Sequence, residues 1–134
     1  MTIINPESFR LLYVDNSKTA REALKRTLER EKYFVLVAAS GAEALDLIAE
    51  HQFHLIITDL YMPYFSGIKL VESIIKLNNP KKSTTPIIVY SGSLCASDKS
   101  KCLSYGVADF ISKKDGSDQL LQAINNILSK LNTL

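Results

Sequence analysis

Short apolar runs and longer amphipathic stretches alternate along this chain five times over, and that rhythm constrains its fold more than any other feature. The short runs are Phe9 to Val14, Tyr33 to Ala38, Leu55 to Thr58, Pro86 to Tyr90 and Ala108 to Ser112. They are rich in β-branched and aromatic residues, which suit pleated strands. Two of them, Leu55-Ile56-Ile57 and Ile87-Ile88-Val89, are apolar without a break, as strands covered on both faces must be. Between the runs, apolar residues recur at helical spacing. Ala20, Ala23, Leu24, Thr27 and Leu28 share one face of Thr19 to Glu31. Ala44, Leu45, Leu47 and Ile48 do the same after a capping box, Ser40-Gly41-Ala42-Glu43. Ile68, Val71, Ile74 and Ile75 follow Ser66-Gly67, and Leu120, Leu121, Ile124, Ile127, Leu128 and Leu131 follow a predicted Asp115 cap. Leu94 to Tyr105 predicts a poorer helix, because its serines compete for backbone hydrogen bonds, and Gly106 predicts its end. Asn78 to Thr85, polar and broken by Pro80, predicts a loop.

Strand and helix in strict alternation predict a parallel sheet with helices on both faces. With 134 residues, 46% of them hydrophobic, the chain is expected to form one domain, residues 1–134 with a core of about 9–131, that needs no staples. Cys95 and Cys102, seven apart on one predicted helix, stand roughly 10 Å apart at 1.5 Å per residue, beyond disulfide reach, so free thiols are expected. A net charge of +2 with scattered lysines argues against direct nucleic-acid binding. No apolar run is long enough to span a bilayer, and Met1 to Pro6 lacks a signal-peptide layout. A cytoplasmic location is the resulting expectation.

In open parallel sheets, ligands bind at the carboxyl ends of the strands. The first run ends in Asp15-Asn16, the third in Asp59, the fourth in Ser91 and the fifth in Lys113. Two carboxylates, an amide, a hydroxyl and an ammonium thus converge on one rim. Close carboxylates repel unless a cation lies between them. Magnesium takes oxygen ligands and commonly links one or two carboxylates to a phosphate, while a lysine and a hydroxyl suit a transferring phosphoryl group. With no His or Cys in the set, zinc and copper fit poorly.

Four segments in order, Val14-Asp15-Asn16, Thr58-Asp59-Leu60-Tyr61-Met62-Pro63 with Ser66-Gly67, Tyr90-Ser91-Gly92, and Gly106 to Lys113, resemble the receiver domains of two-component response regulators. The resemblance covers Phe9 to Leu131 and implies a three-layer, doubly wound (βα)5 flavodoxin-like fold of sheet order 2-1-3-4-5. It implies that Asp59 is the phosphoacceptor, supplied by a histidine kinase or a histidine phosphotransfer protein docking near the first helix. It implies Mg2+ held by Asp15, Asn16, Asp59 and the backbone carbonyl of Tyr61. Ser91 matches the switch hydroxyl, Lys113 the phosphoryl-pairing lysine, and Phe110 the aromatic residue that moves inward with the switch. Such a domain assists its own phosphorylation and dephosphorylation without being an enzyme in the ordinary sense. A monomer, or a weak dimer through the fourth and last helices, is expected.

Three departures bear on that expectation. Asn16 stands where the family places a second metal-binding acid, and an amide oxygen brings no charge. Lys114 follows Lys113 where the family has a cis proline, and a trans bond is expected here because a non-proline cis bond costs about 3–4 kcal/mol. Tyr61 and Ser93 stand two residues past Asp59 and Ser91, on the approach to the phosphoryl group, where a bulky Tyr61 is expected to hinder water. Plainer readings accompany each residue: Asp59 and Asp15 as helix caps, Ser91-Gly92 as a turn, Lys113-Lys114 as a solvated pair, His51 and His54 as boundary residues rather than metal ligands. A pseudo-receiver, binding protein partners without phosphorylation, is the competing function; a flavin carrier ranks below it for want of a phosphate loop after the first strand.

Overall fold

The computed structural model describes residues 5–62, 66–77, 85–92 and 95–132. Its five strands are β1 (Arg10–Val14), β2 (Phe34–Ala38), β3 (Leu55–Thr58), β4 (Ile87–Ser91) and β5 (Asp109–Ser112). The helices between and after them are α1 (Lys18–Arg30), α2 (Gly41–Glu50), α3 (Gly67–Leu77), α4 (Ala96–Ser104) and α5 (Ser117–Asn132). All neighbours pair in parallel, in the order β2-β1-β3-β4-β5. The expected (βα)5 doubly wound sheet is therefore present.

Period-two alternation sorts the strand side chains into two layers. Leu11, Tyr13, Leu55, Ile57, Ile88 and Tyr90 face α1 and α5, meeting Leu24, Leu28, Leu120, Ile124 and Leu128. Leu12, Val14, Ile56 and Val89 face the other way, toward Ala44 of α2, Leu70, Val71 and Ile74 of α3, and Cys102 of α4. Because β1 lies between β2 and β3, the chain reverses its direction of travel across the sheet there. The crevice at the carboxyl ends of β1 and β3 is the switch point.

Helix N-termini set the loops around that crevice. Ser17 Oγ accepts from Ala20 N–H (3.2 Å) and Ser40 Oγ from Glu43 N–H (3.1 Å), each satisfying an orphan donor. Ser66 Oγ accepts from Lys69 N–H at 3.2 Å. α4 ends as expected: Gly106 has φ +85°, Gly106 N–H donates to Leu103 O and Val107 N–H to Cys102 O, the bonding of a Schellman cap. α1 ends on the same pattern, with Lys32 N–H on Glu29 O and Tyr33 N–H on Leu28 O, but a lysine of φ +73° takes the glycine position.

Several boundaries differ from expectation. Asp115 does not cap the last helix. Ser112 Oγ accepts from Lys114 N–H (3.1 Å), which folds Lys113–Asp115 into a 3-10 turn. Gly116 at φ +84° then redirects the chain, and α5 starts at Ser117. α4 begins at Ala96, so exposed Cys95 sits at the cap and only Cys102, buried, lies in the helix; both are free thiols. No described peptide bond is cis, that of Lys113–Lys114 included. His51 caps the end of α2, and His54 Nδ1 accepts from Arg10 N–H at 3.0 Å, so both are boundary residues. Ser93, Pro63, Pro80, Lys81-Lys82 and the first four residues lie outside the described residues. No described helix is long and apolar enough to cross a membrane.

Candidate functional site

Asp15, Asp59 and Ser91, together with Thr58, are the buried polar residues of the described chain. Asp15 directly follows β1, Asp59 directly follows β3, Ser91 ends β4, and Lys113 opens the turn after β5. The parallel register brings them to one rim. Lys113 Nζ donates to Asp15 Oδ2 at 2.5 Å and to Asp59 Oδ2 at 3.0 Å. Ser91 Oγ donates to Asp59 Oδ1 at 2.8 Å, and Tyr61 N–H donates to the same oxygen at 3.2 Å.

The backbone beneath these carboxylates is fixed from several sides. Asp15 N–H donates to Ala38 O at 3.1 Å and Asp59 N–H to Val14 O at 3.0 Å. Arg21, from α1, places Nη1 2.9 Å from the Asp15 carbonyl oxygen. Thr58 Oγ1 donates to Asp59 O at 2.8 Å. Gly67 packs its Cα so closely against this turn that a Cβ built there meets Asp59 O at 2.1 Å and Leu60 Cα at 2.6 Å.

Burial drives Asp15 toward the neutral form, yet Lys113, the Tyr13 hydroxyl and Ser17 N–H together hold it below the usual carboxylate range. Burial likewise pushes Lys113 down, but Asp15 and Asp59 outweigh it and raise it. Both signs follow from hydrogen bonding to the charged form. Tyr13 is driven well above the usual phenol value, by burial first and then by its bond to Asp15. Tyr61 is held up at about 12 by its hydrogen bond to Asp98.

Among the expected site residues, Asp15, Asp59, Ser91 and Lys113 form one hydrogen-bonded cluster. Asn16 is exposed beside it. Tyr61 is 47% exposed, its hydroxyl donating to Asp98 Oδ2 of α4 at 2.7 Å. Phe110 is half-buried in β5, aligned with Val89, and packs on the α2, α3 and α4 layer. Three contributors escaped the sequence reading: Tyr13, Arg21 and Asp98. Tyr13 carried a legible signal, since it stands two residues before Asp15 and so on the same face of the strand.

The donor set suits a hard divalent cation. Every candidate atom is oxygen, from two carboxylates, an amide and a carbonyl, as magnesium prefers. No three His, Cys, Asp or Glu gather among the described residues, so acidic charge at the site comes from Asp15 and Asp59. Asp15 Oδ1 accepts only from Ser17 N–H (2.9 Å) among the described residues, leaving lone-pair capacity on that atom.

The family model described as "Response regulator receiver domain" matches residues 11–125. A probable transcriptional regulator ycf29 of Pyropia yezoensis is 30% identical over 123 residues, 92% of this chain and 54% of that protein. Response regulator MprA of Mycobacterium sp. (strain KMS) is 29% identical over 121 residues, 90% of this chain and 51% of that one. The chain thus spans about half the length of these curated relatives. Among solved structures, a CheY-like receiver domain protein from Methanospirillum hungatei JF-1 superposes with TM-score 0.85 at 28% identity, covering 93% of this chain and 97% of its own. Chemotaxis protein CheY4 of Vibrio cholerae superposes with TM-score 0.81 at 27% identity, covering 89% and 98%.

Proposed function

The chain belongs to the response regulator receiver domain family, and from that premise we propose that it accepts a phosphoryl group on Asp59 and acts as a two-state switch in a phosphorelay. The observation that carries this reading is the single lysine, Lys113, hydrogen-bonded to two buried carboxylates while Ser91 bonds one of them. Asp59 is the better acceptor of the pair, because Asp15 is 1% exposed and Asp59 8%. An Asp59 carboxylate oxygen forms the new P–O bond as the P–N bond of the donor's phosphohistidine breaks, and the imidazole leaves. The donor is a histidine kinase or histidine phosphotransfer protein.

Mg2+ fits the oxygen set of Asp15, Asn16, Asp59 and the Tyr61 carbonyl, and when bound it supplies positive charge that offsets charge on the phosphoryl oxygens. The protein supplies the rest. Lys113 is within reach of Asp59 and pairs with the phosphoryl group as it arrives. Ser91 keeps its hydroxyl at Asp59 and donates to the new oxygens. Ser91 ends β4 and pairs with Ser112 of β5, two residues past Phe110, so the hydroxyl and the aromatic ring are linked through one strand pair. Phosphorylation selects between two states of that unit, toward which the α4, β5 and α5 face reads out.

The apolar residues of α5 are spent on the core: Leu120, Ile124 and Leu128 are buried, and Leu121, Ile127 and Leu131 pack against the same cluster. Among the described residues, 53%-exposed Leu103 of α4 is an apolar side chain available to a weak dimer or a target protein. A cytoplasmic site of action goes with the phosphodonor. One domain over residues 1–134 is part of the same reading.

The pseudo-receiver stands as the second reading, on exposed Asn16 and on the trans Lys113–Lys114 bond. The test is incubation with a small-molecule phosphodonor and MgCl2, followed by intact mass, on wild type and Asp59→Ala. One added phosphoryl mass in wild type alone supports phosphotransfer. No added mass at high magnesium selects the pseudo-receiver.

A further inference from the structure

Asp15 is a carboxylate almost without solvent, and its partners are few enough to name. Ser17 N–H donates to Oδ1 at 2.9 Å; the Tyr13 hydroxyl (2.6 Å) and Lys113 Nζ (2.5 Å) both donate to Oδ2. Of these three donors, Lys113 is shared, because it also reaches Asp59. Any phosphoryl group on Asp59 competes for that ammonium. Asp15 then depends on donors that cannot leave.

Tyr13 is such a donor. Its side chain is fully buried in the layer between the sheet, α1 and α5, paired in register with Val37 and Ile57, with the Tyr90 ring 6.5 Å away. A buried hydroxyl is costly without a partner, and the partner this one has is Asp15 Oδ2. In the same layer Leu11, Leu55, Ile57 and Ile88 fill buried strand positions with aliphatic side chains. Among the described residues the Tyr13 hydroxyl hydrogen-bonds the carboxylate two residues on.

Building on the receiver reading above, we propose that Tyr13 is a positioning residue of the acidic pocket: because Lys113 is divided between Asp15 and Asp59, the Tyr13 hydroxyl holds the Asp15 carboxylate in place and so keeps it aligned for a divalent cation. The need is greatest in this chain because Asn16 brings no second fixed charge. Groups that hydrogen-bond a ligating side chain from behind typically contribute 10–100-fold to metal affinity.

The experiment is a magnesium titration followed by backbone amide NMR, reading Ser17 and Tyr61, whose N–H groups donate to Asp15 and Asp59. Wild type, Tyr13→Phe and Tyr90→Phe are compared, the last removing a hydroxyl from the same layer without touching Asp15. The expected result is an affinity loss on the order of tenfold for Tyr13→Phe, with Tyr90→Phe unchanged. Wild-type and Tyr13→Phe affinities within twofold of each other overturn the proposal and leave Tyr13 a core residue. A wild type that does not respond to magnesium overturns the metal part of the receiver reading as well, so the two failures are distinct. Should Tyr13→Phe not fold, wild type carrying 13C at the tyrosine ζ carbon decides. The Tyr13 signal must then shift with magnesium in step with the Ser17 amide, and a signal that stays still refutes the role.

Discussion

Gly67→Ala places a methyl group where the structure has backbone. The added Cβ would lie 2.1 Å from Asp59 O, 2.6 Å from Leu60 Cα and 2.9 Å from Asp59 C. None of these atoms ends a flexible side chain, so relief requires α3 and the turn after β3 to separate by about 1 Å, to reach an ordinary carbon–oxygen contact. That turn is doubly tied: Gly67 N–H donates to Leu60 O at 2.9 Å and Asp59 N–H to Val14 O at 3.0 Å. Overpacking of this kind costs about 1–3 kcal/mol. Gly67 is the first residue of α3, so the mid-helix advantage of alanine over glycine returns little of it. A net loss of about 1–3 kcal/mol is expected, read as a fall in the urea midpoint at unchanged slope. The displaced atoms carry Asp59, so phosphoryl uptake from a small-molecule donor is expected to slow in the same variant. Gly92→Ala is the internal control. A Cβ there meets nothing within 4 Å, and its unfolding free energy should stay within about 0.5 kcal/mol of wild type. If Gly67→Ala is as stable as Gly92→Ala, the close approach of α3 to the Asp59 backbone is not a constraint and the reasoning fails.

Lys32→Gly should stabilise the protein by about 0.5–1 kcal/mol, since a lysine at φ +73° bears the left-handed penalty that glycine escapes; an unchanged melting midpoint would contradict this. At alkaline pH, both Lys113 and Tyr13 are raised in the folded state. Their stabilising contribution is therefore complete below the unfolded values of about 10 and is lost as pH rises beyond them, which stability measured from pH 9 upward would show as a decline. In the same titration, followed by tyrosinate absorbance, Tyr13→Phe should leave the number of phenols ionising before unfolding unchanged; a loss of one is the refuting result. Tyr61→Ala should speed loss of the phosphoryl group, because it removes the aromatic ring of the residue whose N–H bonds Asp59 and whose hydroxyl is held by Asp98; an unaltered half-life would dismiss that shielding.

The parts of this molecule legible in the sequence were those written in periodicity. Leu55-Ile56-Ile57 and Ile87-Ile88-Val89 read as doubly covered strands and are β3 and β4, at the centre of the sheet with β1. Gly106 read as a helix end because a positive φ selects glycine. The end of α1 was not legible in that way: Lys32 adopts the same conformation, held by Tyr33 N–H on Leu28 O and by Tyr33 packing into the core. Tertiary contact there overrides local preference. Asp115 misled for a related reason, since a cap residue and a turn residue look alike until Gly116 is given its positive φ. Among site residues, those at strand ends were found because topology forces strand ends together. Arg21 and Asp98 are not legible because one reaches the Asp15 carbonyl from α1 and the other the Tyr61 hydroxyl from α4, contacts that no sequence spacing encodes.

The charge balance of the pocket ties the departures together. Two carboxylates and one ammonium leave a single net negative charge among Asp15, Asp59 and Lys113, where a second acid in place of Asn16 would leave two. A divalent cation is consequently attracted less, and Lys113 is contested less. The ammonium sits closer to Asp15 (2.5 Å) than to Asp59 (3.0 Å), the proposed phosphoacceptor. On the proposed function, phosphorylation shifts that preference. The phosphoryl group would bring more charge than a carboxylate, which would draw Lys113 toward it; in the role proposed for Tyr13, its hydroxyl on Asp15 Oδ2 then supports the carboxylate left behind. Asn16→Asp separates the two effects. It adds a charge for magnesium to bind, so magnesium affinity should rise. It also adds a competitor for Lys113, so at saturating magnesium the gain in phosphorylation should be smaller than the gain in affinity. Equal gains in both would show that the ammonium is not shared in the way the two distances indicate.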